Sequence, residues 1–323
     1  MNVVILSART GWHTDELCRA LAERGHVGRV APYESLRARI GPHSGLSVSA
    51  TASGGEQVDA DRPVSVFDAD AVLARIIPDG SLEQIIYRVD ALHWIEERGI
   101  PVMNSARAIE RSVDKFYTTA LLHEAGLPVP ETVVCERGTD AMASIRQMLT
   151  GGDVIIKPVF GSMGHGMVRV GDLDVAFRIV RSLEQIRSVF YLQRAIDHGG
   201  RDVRVFVVGG QVIGAIERTA AAGDWRTNVA RGATATPTQL PAAWEQYAVR
   251  AAATVGAEYA GVDLLPSRDG EVFVLEVNGI PGWQGLQQAI GMDVAGAVVE
   301  HLTSRVVARG AAPVAVDAAG LPA

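Results

Sequence analysis

The stretch Val154-Ile155-Ile156-Lys157-Pro158-Val159-Phe160-Gly161-Ser162-Met163-Gly164-His165-Gly166-Met167-Val168-Arg169-Val170 decides how this chain is read. Its apolar run predicts a strand that starts at Val154 and ends between Lys157 and Val159. A second strand follows over Met167–Val170, and the glycines at 161, 164 and 166 make the connection a loop. Glycines at that density let backbone N–H groups converge on an anion with no Cβ in the way. Hairpin loops also use glycine, so the loop alone is a weak sign; Lys157, on the strand beneath it, strengthens the case for a flap that covers and neutralises a polyphosphate. No Gly-Lys-Ser/Thr opens a helix after the loop, so it is not a P-loop. It also lacks the strand-turn-helix setting of a dinucleotide fingerprint.

Lys157 is one of only two lysines, the other being Lys115, although Lys and Arg together number 30. Against an arginine-rich background, a retained lysine marks a place where a compact, strongly hydrated ammonium is wanted; the plain alternative is chance survival on a surface. Hydrophobic residues make up 48% of the 323, which predicts a folded globular protein. The net charge of -7 argues against nucleic acid as a partner. Cys18 and Cys135 have neither metal-ligand spacing nor a disulfide framework, which points to a reducing cytoplasm. The start MNVVILSARTGWH has no basic segment leading an apolar one, so no signal peptide is expected. No apolar run approaches the roughly 18 residues that span a bilayer, so no membrane partner is expected.

Outward from the loop, the chain divides into four. Residues 1–104 read as an open α/β domain: strand Val3–Leu6, helix Thr14–Arg24 stopped by Gly25, strands near Val27–Val30 and Ala71–Ile77, helix Ser81–Arg98, and strand Ile100–Met103. Within it, 41–62 is a Gly/Ser/Ala-rich surface excursion, read as a hairpin. Residues 105–190 form an α+β unit holding the glycine loop. Residues 191–305 alternate strands (Val203–Val208, Gln211–Glu217, Val272–Val277) with helix Ala242–Val255. Residues 306–323 are a flexible Ala/Gly/Pro-rich tail. His13, His93, His123 and His301 fall on helical patterns and read as packing or surface residues.

Two further segments carry chemistry. Gly261-Val262-Asp263-Leu264-Leu265 and Val274-Leu275-Glu276-Val277-Asn278 read as buried strands interrupted by acid. Glu276 and Asn278, two apart, share a face. If the strands pair, Asp263 joins them, and three oxygen donors without sulfur or imidazole suit Mg²⁺. Edge-strand acids facing water are the plain alternative, but apolar neighbours on both sides favour burial. The loop Asp224-Trp225-Arg226-Thr227-Asn228-Val229-Ala230-Arg231-Gly232 could bind phosphate or a carboxylate, or could simply be a polar crossing loop.

Asp114-Lys115, Ile156-Lys157, the GSMGHG loop, Asp202-Val203-Arg204, DWRTNVARG, GVDLL and LEVNGIPG follow one another in the order found in the ATP-grasp superfamily. In detail they resemble its RimK-type α-L-glutamate ligases, over about residues 70 to 302. PDGSLEQIIYRVDAL and NGIPGWQGLQ are similar to the branch acting on pterin cofactors such as tetrahydromethanopterin. The resemblance implies an α/β chain built of α+β modules: an open α/β pre-ATP-grasp domain, then nucleotide held between two α+β subdomains. It implies that Lys115, Lys157 and the loop Gly161, Ser162, Met163 and Gly164 contact ATP phosphates. Gln193, Arg194, Ala195 and Ile196 would line the adenine and Asp202 the ribose, with Arg226, Thr227 and Asn228 beside the nucleotide. Asp263, Glu276 and Asn278 would hold Mg²⁺, with Mn²⁺ as a substitute. Arg231, Lys157 and Asn278 would be the catalytic set. One departure is Arg194-Ala195, where relatives commonly carry Glu and an aromatic after the hinge Gln; it bears on how tightly the base is held.

The implied reaction is a two-step ligation. A small-molecule or peptide carboxylate attacks the γ-phosphoryl of ATP, and an amine, L-glutamate, displaces phosphate from the acyl-phosphate. Positioning and charge neutralisation carry such chemistry. The competing readings are an ATP-grasp enzyme that uses another amine or acts as a kinase or carboxylase-like enzyme, and a non-catalytic nucleotide-binding regulator. The resemblance also implies a homo-oligomer.

Overall fold

The computed structural model describes residues 1–52, 63–161, 165–227 and 232–311, without the side chains of 51, 52, 310 and 311. It divides into two compact units, Met1–Ala106 together with the chain from Met292 onward, and Arg107–Gly291.

The first unit contains β1 (Asn2–Leu6), α1 (Trp12–Glu23), β2 (Val27–Ala31), β3 (Arg37–Arg39), β4 (Gly45–Val48), β5 (Thr51–Ala52), β6 (Val64–Ser65), β7 (Ala71–Ala74), α2 (Leu82–Glu97) and β8 (Val102–Met103). Its main sheet runs β5-β2-β1-β7-β8, parallel apart from β5. Val3–Leu6 and Ala71–Ala74 are buried throughout, as central parallel strands must be. The excursion after Leu36 contains the β3–β4 hairpin, to which β6 adds a third strand. Helix α2 starts with a capping box: Gln84 N–H donates to Ser81 Oγ (3.3 Å) and Ser81 N–H to Gln84 Oε1 (2.9 Å). His13 is half-buried, and burial and then Arg75 hold its imidazole down to about 4.

The second unit opens with α3 (Ala106–Val113) and α4 (Lys115–Glu124), separated by Asp114, whose carboxylate accepts Tyr117 N–H at 3.0 Å. Then follow β9 (Thr132–Cys135), α5 (Gly138–Met148), β10 (Val154–Lys157), β11 (Val168–Val170), α6 (Leu173–Gln185) and β12 (Phe190–Arg194). These strands form an antiparallel sheet, β11-β10-β12-β9, packed against α5 and α6 through Ala141, Ile145, Ala176, Val180 and Leu192. The division placed at 190/191 from sequence therefore falls inside a central strand of this sheet. Next come β13 (Arg201–Val208), β14 (Gln211–Thr219), β15 (Thr234–Pro237), α7 (Ala242–Val255), β16 (Tyr259–Pro266), β17 (Val272–Asn278) and α8 (Gln284–Ile290). Their sheet, β15-β14-β13-β16-β17, is also antiparallel and packs on α7, which ends at Gly256 in the left-handed conformation (φ +82).

The last helix, α9 (Val294–Ala311), belongs to the first unit, whereas the sequence division closed the last subdomain at 305 and began a tail at 306. Val294, Ala295, Val298, Val299 and Leu302 make a buried helical stripe, and Arg305 Nη1 donates to Val102 O at 3.0 Å. Among the described residues no helix is long and apolar enough to cross a membrane, and both cysteines are free thiols.

Candidate active site

Pro158 lacks the N–H that would continue β10, so the strand ends at Lys157. Lys157 sits opposite Tyr191 in the register of β10 and β12 and is only 8% exposed. Its Nζ donates to Gln193 Oε1 at 2.5 Å and lies 5.9 Å from the centre of the Tyr191 ring. Gln193 Nε2 in turn donates to Thr132 Oγ1 (3.0 Å) and Tyr191 Oη (3.1 Å), and Tyr191 Oη lies 2.8 Å from Thr119 Oγ1. Among the described residues every direct partner of the ammonium is neutral. Burial therefore lowers the Lys157 pKa to about 8, against a weaker upward pull from Glu276. Lys115, the first residue of α4, donates Nζ to Gly161 O (2.6 Å) and Val159 O (3.4 Å), tying the helix start to the stem of the glycine loop. Burial pushes its pKa down as well.

The second sheet supplies the charges. Asp202 on β13 faces Arg218 on β14, Arg204 on β13 faces Asp263 on β16, and Asp263 faces Glu276 on β17. Residues 202 and 204 lie on the same side of β13, so these register pairs place all five side chains on one face. Arg218 forks onto Asp202 (Nε–Oδ1 2.7 Å, Nη2–Oδ2 2.5 Å) and reaches Asp263 Oδ2 at 3.0 Å. Thr227 Oγ1 donates to Asp202 Oδ2, so a ribose hydroxyl would have to share oxygens already in use. Arg204 forks onto Asp263 (2.7 and 3.1 Å) and lies 3.7 Å from Glu276 Oε1. Burial alone would raise the Asp263 pKa, but Arg204 and Arg218 hold it below the usual carboxylate range.

A β-bulge shapes this wall. The ladder pairs Asp263 with Glu276 but Leu264 with Val274, leaving Leu275 as the extra residue. In a regular strand Leu275 and Glu276 would point to opposite faces. Here both line the cleft. The Glu276 side chain is 41% exposed to that cleft, yet loss of surrounding water, and then Asp263, raise its pKa.

The cleft holds about 950 Å³ of empty space including its open mouth. Of the residues singled out from sequence it is lined by Lys115, Lys157, Gly161, Gln193, Arg194, Ala195, Ile196, Asp202, Arg226, Thr227, Asp263 and Glu276. Ser162, Met163, Gly164, Asn228 and Arg231 lie outside the described residues. Asn278 shares the Glu276 side of β17, and its Oδ1 accepts Ile280 N–H at 2.9 Å; it is not part of the cleft lining. The Arg194 side chain turns onto Glu131 (Nε–Oε2 2.8 Å) and Met148 O (3.2 Å), over Gly151, where a Cβ would collide with it. The Arg194 and Ala195 amides donate to Glu131 O and Asp153 O, so both are committed to the protein. Arg226 forks onto Asp224 (2.9 and 3.1 Å) beside Trp225.

Apolar walls (Ile155, Met167, Ile196, Leu265, Leu275) and a cationic end (Lys115, Lys157) meet in one cleft, which fits a flat ring attached to phosphates. The oxygen donors beside the lysines suit a hard cation in type, with the Asp263 oxygens shared between two guanidiniums. Among the described residues no group of three His, Cys, Asp or Glu stands ready as a metal cluster. Sequence reasoning gave no role to Arg204, Arg218 or Tyr191. The Arg-Asp alternation across β13 and β14 could have flagged the arginines, but only once the register was known.

Comparison with known proteins shows the family to which the chain belongs. Residues 112–302 match the RimK-like ATP-grasp domain. The chain is 35% identical over 266 residues to the tetrahydromethanopterin:α-L-glutamate ligase of Methanosarcina acetivorans, covering 74% of this chain and 81% of that protein. It is 33% identical over 304 residues to a probable α-L-glutamate ligase of Trichodesmium erythraeum, covering 94% and 96%. The solved structure of the ATP-grasp ligase PsnB with minimal precursor, Mg and ADP superposes with a TM-score of 0.69 at 24% identity, covering 94% of this chain and 98% of that one. A RimK domain ATP-grasp protein from Sphaerobacter thermophilus gives 0.66, also at 24% identity, covering 94% and 100%. The chain belongs to the RimK-like ATP-grasp family of ATP-dependent ligases.

Proposed function

We propose that the protein uses ATP and Mg²⁺ to join the amino group of L-glutamate to the carboxylate of a reduced pterin, another small molecule or a peptide, through an acyl-phosphate. The observation that carries this reading is the meeting, in one cleft, of Lys115 and Lys157 with Asp202, Arg218, Asp263 and Glu276, the Asp263 carboxylate being held by Arg204. The relatives' names support the choice of glutamate, and the M. acetivorans relative supports a pterin acceptor.

In this reading the nucleotide lies between the two sheets of the second unit. Lys115 and Lys157 neutralise phosphate oxygens, and the loop Gly161–Gly164 closes over them to keep water from the acyl-phosphate. Gln193–Ile196 line the base. Asp202 fixes Thr227 and Arg218 near the ribose, Arg226 and Asn228 flank the nucleotide, and Arg231 stands by the reacting phosphoryl group. Asp263, Glu276 and Asn278 would hold Mg²⁺, which would supply positive charge to the transferring phosphate. Glu276→Gln should raise the Mg²⁺ concentration needed for half-maximal ATP turnover by roughly tenfold or more; an unchanged titration removes Glu276 from the metal site.

The deciding experiment combines ATP, Mg²⁺ and L-glutamate with a panel of carboxylates that includes reduced pterins and peptides, and reads phosphate release and product mass. A product heavier by one glutamyl residue supports the proposal. Phosphate release without an amide leaves an ATP-grasp enzyme and sinks the glutamate assignment. ATP binding without turnover across the panel favours the regulator.

A further inference from the structure

Arg204 touches two of the three proposed metal donors, gripping both oxygens of Asp263 at 2.7 and 3.1 Å and standing 3.7 Å from Glu276 Oε1. Arg218 is locked in by its fork on Asp202 and its contact with Asp263, with 5% of its side chain exposed. Arg204 is freer, with 16% of its side chain exposed and no second fork among the described contacts. Gly261 leaves it room, since a Cβ there would lie 3.3 Å from Arg204 Nε. Around the metal donors Lys115, Lys157, Arg204 and Arg218 are matched by Asp202, Asp263, Glu276 and, beside Lys115, Asp114. A bare divalent ion would add positive charge to carboxylates already paired with cations, whereas a nucleotide brings the anions that offset it.

Resting on the ligase reading, we propose that Arg204 is a positioning residue that holds the metal's place: it occupies Asp263 and Glu276 so that a divalent cation enters only with nucleotide phosphates, which also give the displaced guanidinium a new partner. This makes metal affinity a property of the nucleotide complex. A second consequence is that the two carboxylates stay neutralised between turnovers.

The test reads binding, not activity. Free Mn²⁺ is followed by electron paramagnetic resonance with purified full-length protein, with and without a non-hydrolysable ATP analogue. Wild type should bind Mn²⁺ at least about tenfold more weakly without the analogue than with it. Arg204→Met should bind bare Mn²⁺ at least about tenfold more tightly than wild type. Arg204→Lys, which keeps the charge but loses the fork, should stay close to wild type; a purely structural fork would make it behave like the methionine variant, overturning the proposal. Equal Mn²⁺ affinity of wild type with and without analogue overturns it too, even if Arg204→Met fails to fold. Failure of wild type to bind the analogue at all sinks the ATP reading rather than this inference alone.

Discussion

Lys157→Met should give a folded protein whose ATP-dependent ligation is slower by roughly a hundredfold or more, the scale on which preorganised electrostatic groups act. The wild-type ammonium is buried among neutral partners, and its pKa falls from 10.5 to about 8. The unfolded chain therefore binds this proton more tightly, and Lys157 costs stability at pH 7, by roughly 3 kcal/mol for a shift of that size. The cost is present in full below pH 8 and fades as pH rises towards 10.5. Methionine removes it but leaves Gln193 Oε1 without its donor, a loss of about 1–3 kcal/mol. The two nearly cancel, so thermal unfolding at pH 7 should change little while catalysis collapses. The wild-type pH profile offers a second check. kcat/KM for ATP reports the free enzyme and should fall above about pH 8, while the kcat limb should lie higher because bound phosphates favour the charged lysine. A Lys157→Met protein that keeps most of its turnover, or a flat kcat/KM through pH 9, contradicts the assignment.

The lysines were legible in the sequence because they are rare, and the same bias hid the arginines. With two lysines among 30 basic residues, 28 are arginine, so Arg204 and Arg218 look like any surface arginine until the register sets them opposite Asp263 and Asp202. Asp263 and Glu276 were legible as acids inside apolar strands. That Leu275 shares their cleft was not, because alternation assigns it to the other face and only the bulge returns it. Strand β12 escaped notice because its second half, Gln193-Arg194, is polar and reads as the start of a nucleotide-lining hinge. The first unit's parallel sheet read well from its unbroken apolar runs. The membership of α9 did not, since a buried stripe names no partner.

Arg218→Met should be the most destabilising single change in the second unit's charged wall, by about 3–5 kcal/mol, the usual consequence of leaving one partner of a buried ion pair behind. Asp202 is 2% exposed and Arg218 4% exposed. With the fork gone, the Asp202 carboxylate keeps, among the described residues, the Thr227 hydroxyl, while Asp263 retains Arg204. The loss should appear as a fall in Tm on the order of 10 °C. The double change Arg218→Met with Asp202→Leu separates the two explanations for such a fall. If the damage is the stranded charge, removing the charge as well should recover most of the stability, less about 1–2 kcal/mol for the orphaned Thr227 hydroxyl. If instead the guanidinium is needed as packing, the two losses should add. Recovery without ligase activity would show that the ion pair is kept to hold Thr227 and Asp263 in place for the nucleotide and its metal, at a stability that an apolar pair could match.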